Sequence, residues 1–218
     1  MTKLTFSTLS KKKLKQFIQF QEFGTTAYPW TEVDSIPLDE REERQTQEIT
    51  SRLLNYQTHL MNEATIWARG IYPLLVLAEQ QDIQAWAEVS LKAQYPKFEL
   101  EVIADGVLGK SATGFIESPF LVVVEAKKGV EAENPLFQLY GQILAAAHLN
   151  WENDNQEPQE IFGCYTIADS WTFLRGEVEG IDSELPTLRV EYSREYVEKL
   201  EAQTILRILK GVVAKHLN

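Results

Sequence analysis

The chain has 218 residues, 44% of them hydrophobic and 11% aromatic, which suits a domain that buries its own core without disulfide or metal staples. Its 32 acidic against 21 basic residues give a formal net charge of -11, which argues against tight, indiscriminate binding to nucleic-acid phosphates but leaves room for a small basic cleft. The lone Cys164 cannot form an internal disulfide, the scattered His59, His148 and His216 argue against a zinc or histidine-based nuclease site, and no apolar stretch reaches the ~18 residues of a membrane helix.

The start "MTKLTFSTLSKKKLKQF" lacks the apolar core and cleavage site of a secretory signal, so a reducing, cytoplasmic setting with no membrane partner is expected. Leu14, Phe17 and Ile18 at i, i+3 and i+4 predict a short helix over 8–22, its lysines forming a solvated face. Gly24, Pro29 and Pro37 predict irregular chain over 24–38, with Tyr28 and Trp30 stapling it. A long helical stretch over 37–69 follows, with Asp39, Glu40, Glu42 and Glu43 at its positive N-terminal end. Gly70 and Pro73 interrupt the pattern, and "YPLLVLAEQQ" forms a second helical piece.

After Asp82 the periodicity changes to two. "AWAEVSLKAQ" puts Ala87, Val89 and Leu91 on one face and Glu88, Ser90 and Lys92 on the other. "FELEVIADGVLG" is a second strand, with Gly106 allowing a bulge after Asp105. "PFLVVVEAKK" is a third, and its unbroken apolar run predicts a strand covered on both faces. "NPLFQLYGQILAAAHLN" reads as a helix capped by Asn134 with Pro135 in its first turn. "EIFGCYTIADSWTFLRGEVEG" predicts two strands around an Asp-Ser turn, with Trp171 and Phe173 in the core. "TLRVEYS" is a further strand, and residues 194–217 form an amphipathic C-terminal helix.

A buried strand rarely ends in an acid and two bases, as "LVVVEAKKG" (121–129) does. Alternation puts Glu125 and Lys127 on one face and turns Lys128 away. Asp105 ends the preceding strand. By itself "DG" is a hairpin signal, but neighbouring strands would bring Asp105 and Glu125 together. Two close carboxylates resist ionising unless a cation sits between them. Two carboxylates, a backbone carbonyl and waters suit Mg²⁺ or Mn²⁺, which polarises phosphoryl oxygens and acidifies a bound water. Lys127 would orient that water, help deprotonate it, or offset charge on phosphate.

"ADGVLG" (104–109), "VVVEAKK" (122–128) and "FQLYGQ" (137–142) together resemble the PD-(D/E)xK nuclease superfamily. The nearest likeness is to the nuclease domain of type I restriction-enzyme motor subunits and its stand-alone relatives. "NEATIWARGIYPLLVLAE" (62–79) resembles that domain's first core helix, so the likeness spans about 60–175. Ala104 replaces the Pro that nominally precedes the Asp. The resemblance implies a catalytic set of Asp105, Glu125, Lys127, Glu63 and Gln138, with Glu79 as second choice for the helix acid and Gln142 one turn beyond Gln138. It implies Mg²⁺ or Mn²⁺ held by Asp105, Glu125 and the Ala126 carbonyl, DNA as substrate, and, by analogy with enzymes that cut both strands, a homodimer.

The expected fold is α/β: a restriction-endonuclease-like core with a central mixed sheet of four or five strands flanked by helices. The expected division is an N-terminal helical extension over 1–56, the nuclease-like core over 57–192 and a C-terminal helix over 193–218. The expected function is metal-dependent hydrolysis of DNA phosphodiesters. The alternatives are a catalytically silent module of the same fold, acting through protein contacts, and an acidic interaction domain docking through the 37–69 helix.

Overall fold

The computed structural model describes residues 2–5, 10–130, 132 and 134–217. The N-terminus forms two strands and only one helical turn: β1 (Thr2–Thr5), α1 (Lys11–Leu14) and β2 (Gln19–Thr25). This corrects the helix expected over 8–22. Leu14 and Ile18 are buried, as their spacing suggested. The chain between them turns, however, and residues from Gln19 onward pair with the sheet. Strand pairing overrides a weak helical pattern when an edge is available.

Residues 26–38 are irregular apart from a 3-10 turn at Pro29–Thr31, where Tyr28 stacks on Trp30 and bonds back to the Gly24 carbonyl; residues 24 and 25, expected to be irregular too, belong to β2. Helix α2 (Glu40–Leu54) starts at a capping box: Asp39 accepts from the Glu42 amide, and Glu42 accepts from the Asp39 amide. It ends at Asn55, short of the expected 69. The chain crosses a 3-10 turn (Thr58–Leu60), and Asn62 caps a new helix, α3 (Glu63–Ile66), by accepting from Thr65 N at 2.8 Å. A π-turn (Trp67–Ile71) joins α3 to α4 (Tyr72–Leu77). Gly70 sits in that turn against Glu198, whose Oε1 would collide with a Cβ there.

Three long strands form the expected antiparallel meander: β3 (Ile83–Gln94), β4 (Phe98–Ala112) and β5 (Phe115–Lys127). Helix α5 (Leu136–Asp154) crosses to β6 (Gln159–Ile167), parallel to β5. Pro135, not the expected Asn134, takes the cap position of this helix, although Asn134 Oδ1 accepts from Leu136 N. β6 turns back into β7 (Ser170–Glu179), and β8 (Thr187–Val197) runs four residues further than expected before α6 (Glu198–Leu217).

The result is one mixed sheet of eight strands, β1-β4-β5-β6-β7-β8-β2, with β3 on the other side of β4. The two N-terminal strands thus extend the sheet instead of lying outside it. β1 runs parallel to β4 from Thr2↔Phe98 to Thr5↔Glu101. On the same side, β5 pairs with β4 from Gly106↔Val124 outward. Val102–Asp105 lie in the window between these partners. One face of the sheet packs on α5 through Val123, Leu139, Ile143 and their neighbours. The other packs on α2, α4 and α6 through Val124, Leu74, Leu75 and Ile205. Trp171, Phe173 and the free Cys164 are buried as expected. No helix among the described residues is long and apolar enough to cross a membrane.

Candidate active site

The window in β4 opens where β5 ends in Glu125, Ala126 and Lys127. Val124 and Ala126 face the α4/α6 layer, and Glu125 faces α5. Asp105 reaches across the gap and accepts from Ala126 N at 2.7 Å. In an extended strand a residue's N–H and C=O project to the same side. The Ala126 carbonyl therefore faces Asp105, while the Lys127 carbonyl accepts from Ala168 on the β6 side.

Glu125 is fully buried. Its Oε1 pairs with Lys127 Nζ at 2.6 Å, and its Oε2 accepts from Gln142 Nε2. The same Gln142 amide donates to the Ile103 carbonyl at 3.0 Å, inside the window, so one α5 side chain ties Glu125 to β4. Burial, then the Asp105 charge, pushes the Glu125 carboxyl up to about 7, against the pull of Lys127 and Gln142. Burial also raises Asp105; the Ala126 amide and Lys127 oppose this, while Glu63 and Glu88 add to it. Burial would lower Lys127, but Glu125, Asp105 and Glu63 outweigh it and hold the ammonium protonated above its ordinary range.

Glu63, Ala64, Trp67, Glu88, Asp105 and Ala126 line a cavity of about 160 Å³ beside this cluster. Glu63 therefore joins the expected residues. Glu79 does not: it is exposed, and its Oε1 accepts from the Ala85 amide. Gln138 is buried on α5, with Oε1 lacking a hydrogen-bond partner; Gln142, one turn on, makes the contact to Glu125. A larger open cleft, about 760 Å³, lies between Thr25–Ser35 and Arg194/Tyr196. It contains neither Asp105 nor Glu125, so the smaller cavity, not this cleft, is the candidate site.

Glu88 belongs to the cavity but was not among the expected site residues. It lies opposite Asp105, between the pairs Ala87↔Gly106 and Val89↔Ala104, with φ of 54°. There the strand rotates. Ile83 and Ala85 pack in the α4/α6 layer, whereas Val89, Leu91 and Ala93 pack in the α5 layer. Strict alternation would put all five on one face. Alternation set Glu88 apart from Val89 and Leu91, but Ala87, expected on the apolar face with them, is exposed, and nothing local marked the rotation.

Among the described residues, no group of three or more His, Cys, Asp and Glu side chains forms a metal cage. The oxygen set here is smaller: two mutually repelling carboxylates and a carbonyl facing the window. Hard divalent ions that keep several waters fit such a set. Compared with protein-family models and with curated proteins, the sequence matches none.

Proposed function

We propose that the chain is a metal-dependent deoxyribonuclease with a restriction-endonuclease-like core. The observation that carries this reading is the meeting of Asp105, Glu125 and Lys127 at a gap in strand pairing, with Ala126 bridging them. Asp105, Glu125 and the Ala126 carbonyl would hold Mg²⁺ or Mn²⁺. When bound, the ion supplies charge stabilisation at the scissile phosphate and acidifies a water.

The protein's own groups do the rest. Lys127 Nζ, protonated and fixed by Glu125, donates a hydrogen bond to orient the attacking water or to offset charge on the phosphoryl oxygens. Gln142 holds the Glu125 carboxylate against β4. Glu63 stands on the first turn of α3 and adds negative charge that attracts a cation.

The test is cleavage of plasmid DNA with Mg²⁺ or Mn²⁺. Lys127→Ala is expected to slow it by about 10²–10⁴-fold, the range for losing one positioned donor or acid–base group. Calorimetry should show Mn²⁺ binding that disappears in Asp105→Ala. Wild-type protein that binds neither ion overturns the reading and leaves the catalytically silent module.

A further inference from the structure

Residues 49–62, 64–78 and 126–130 of this acidic chain contain no Asp or Glu. The fold brings parts of all three together at the end of β5. Val130 N donates to the His59 carbonyl at 3.2 Å, and Gly129 packs against the His59 backbone. The Arg69 guanidinium lies 5.0 Å from the centre of the Tyr56 ring. Lys199, from α6, bonds Thr58 and pairs with Asp169, so that nearby acid is neutralised. Gly129 and Val130 follow Lys127 and Lys128 directly, which makes this rim the margin of the candidate active site.

Its apolar side chains are unusually open: Tyr56 is 47% exposed, Leu60 64% and Val130 50%. Exposed apolar groups interleaved with cations at the edge of a site mark a binding surface. The matching chemistry is an anionic backbone with accessible flat apolar faces. A nucleic-acid strand with unpaired bases offers phosphates for Arg69 and Lys128, and base faces for Tyr56, Leu60 and Val130. A blunt duplex keeps its base faces inside the stack, so it would meet the cations but not the apolar residues.

We propose that this rim binds unpaired nucleotides beside the scissile phosphate, so that the substrate is single-stranded or flapped DNA. This rests on the nuclease reading above. Fluorescence anisotropy in EDTA, where metal-dependent cleavage cannot occur, would compare a labelled single strand with the blunt duplex of the same sequence. The single strand is expected to bind about tenfold more tightly or better, and Tyr56→Ala and Arg69→Gln each to weaken it about fivefold or more. Leu60→Ser, at a more exposed position, should act in the same direction without altering the melting temperature. Equal affinity for both DNAs, or variants that bind the single strand as the wild type does, would overturn the proposal even if plasmid DNA is cut. Tight single-strand binding lost in these variants, with no cutting under any metal, would leave the surface standing and remove the nuclease.

Discussion

Glu198 carries a buried carboxyl at some distance in function from the candidate site. It is fully buried, its Oε2 accepts from Trp171 Nε1 at 2.8 Å, and its Oε1 has no hydrogen-bond partner. Burial pushes its pKa up to about 8; Trp171 opposes this and the Asp169 charge adds to it. A raised carboxyl binds a proton in the folded chain that the unfolded chain releases. Its stabilising contribution is therefore complete in acid, falls as pH rises through the ordinary carboxylate range, and is gone above about 8. Glu198→Gln keeps an acceptor for Trp171 and removes the titration. Urea unfolding at several pH values between about 5 and 8 should show the wild type losing about 1–3 kcal/mol relative to this variant, at ~1.4 kcal/mol per unit attenuated for relaxation. Parallel pH curves would mean that Glu198 ionises inside the fold. Nothing in "REYVEKLE" separates Glu198 from Glu195 or Glu201, because burial is conferred by Trp171 and Gly70 far off in sequence. Lys127 and Lys128 show the opposite case. Two-residue alternation distinguished them, and the Lys127 side chain is 13% exposed whereas Lys128 is exposed.

The elements that were legible carry their determinants locally. β4, β5 and α5 announce themselves through alternation, an apolar run and an Asn-Pro start. The break in the 37–69 helix was written in Asn55 and Asn62, a C-cap and an N-cap, but the surrounding helical periodicity masked them. What holds that break in place is tertiary. A Cβ at Gly129 would lie 2.6 Å from both Cα and O of His59. The obstacle is backbone, which cannot swing aside as a side chain does. Gly129→Ala should therefore destabilise the protein by about 1–3 kcal/mol, the usual cost of overpacking, seen as a lower urea midpoint with unchanged slope. An unchanged midpoint would show that the 55–62 connection is loosely held on β5.

At the scale of the molecule, the eight-stranded sheet was not legible because its outer pairings are the least local. β1 pairs with residues almost a hundred positions on, and β2 with β8, about 170 on. Neither four-residue β1 nor mostly exposed β2 has a pattern strong enough to declare itself. The two edges differ in consequence. β2 is held at the far end of the sheet from the candidate site by Tyr192, which donates to Glu22 at 2.9 Å. β1 closes β4 up to Glu101 and so sets one limit of the window that exposes Asp105. Leu4 anchors it and is fully buried. Leu4→Ala should cost about 2–5 kcal/mol for the lost burial and cavity. It should also weaken Mn²⁺ binding measured by calorimetry, since an unpaired β4 start no longer fixes Asp105 against Ala126. Tyr192→Phe removes the bond to β2 without touching that window, so it should lower the urea midpoint while leaving Mn²⁺ affinity unchanged. If both variants lose stability and neither changes metal affinity, the β1 edge supports the fold alone, and the site is set wholly by β4, β5 and α5.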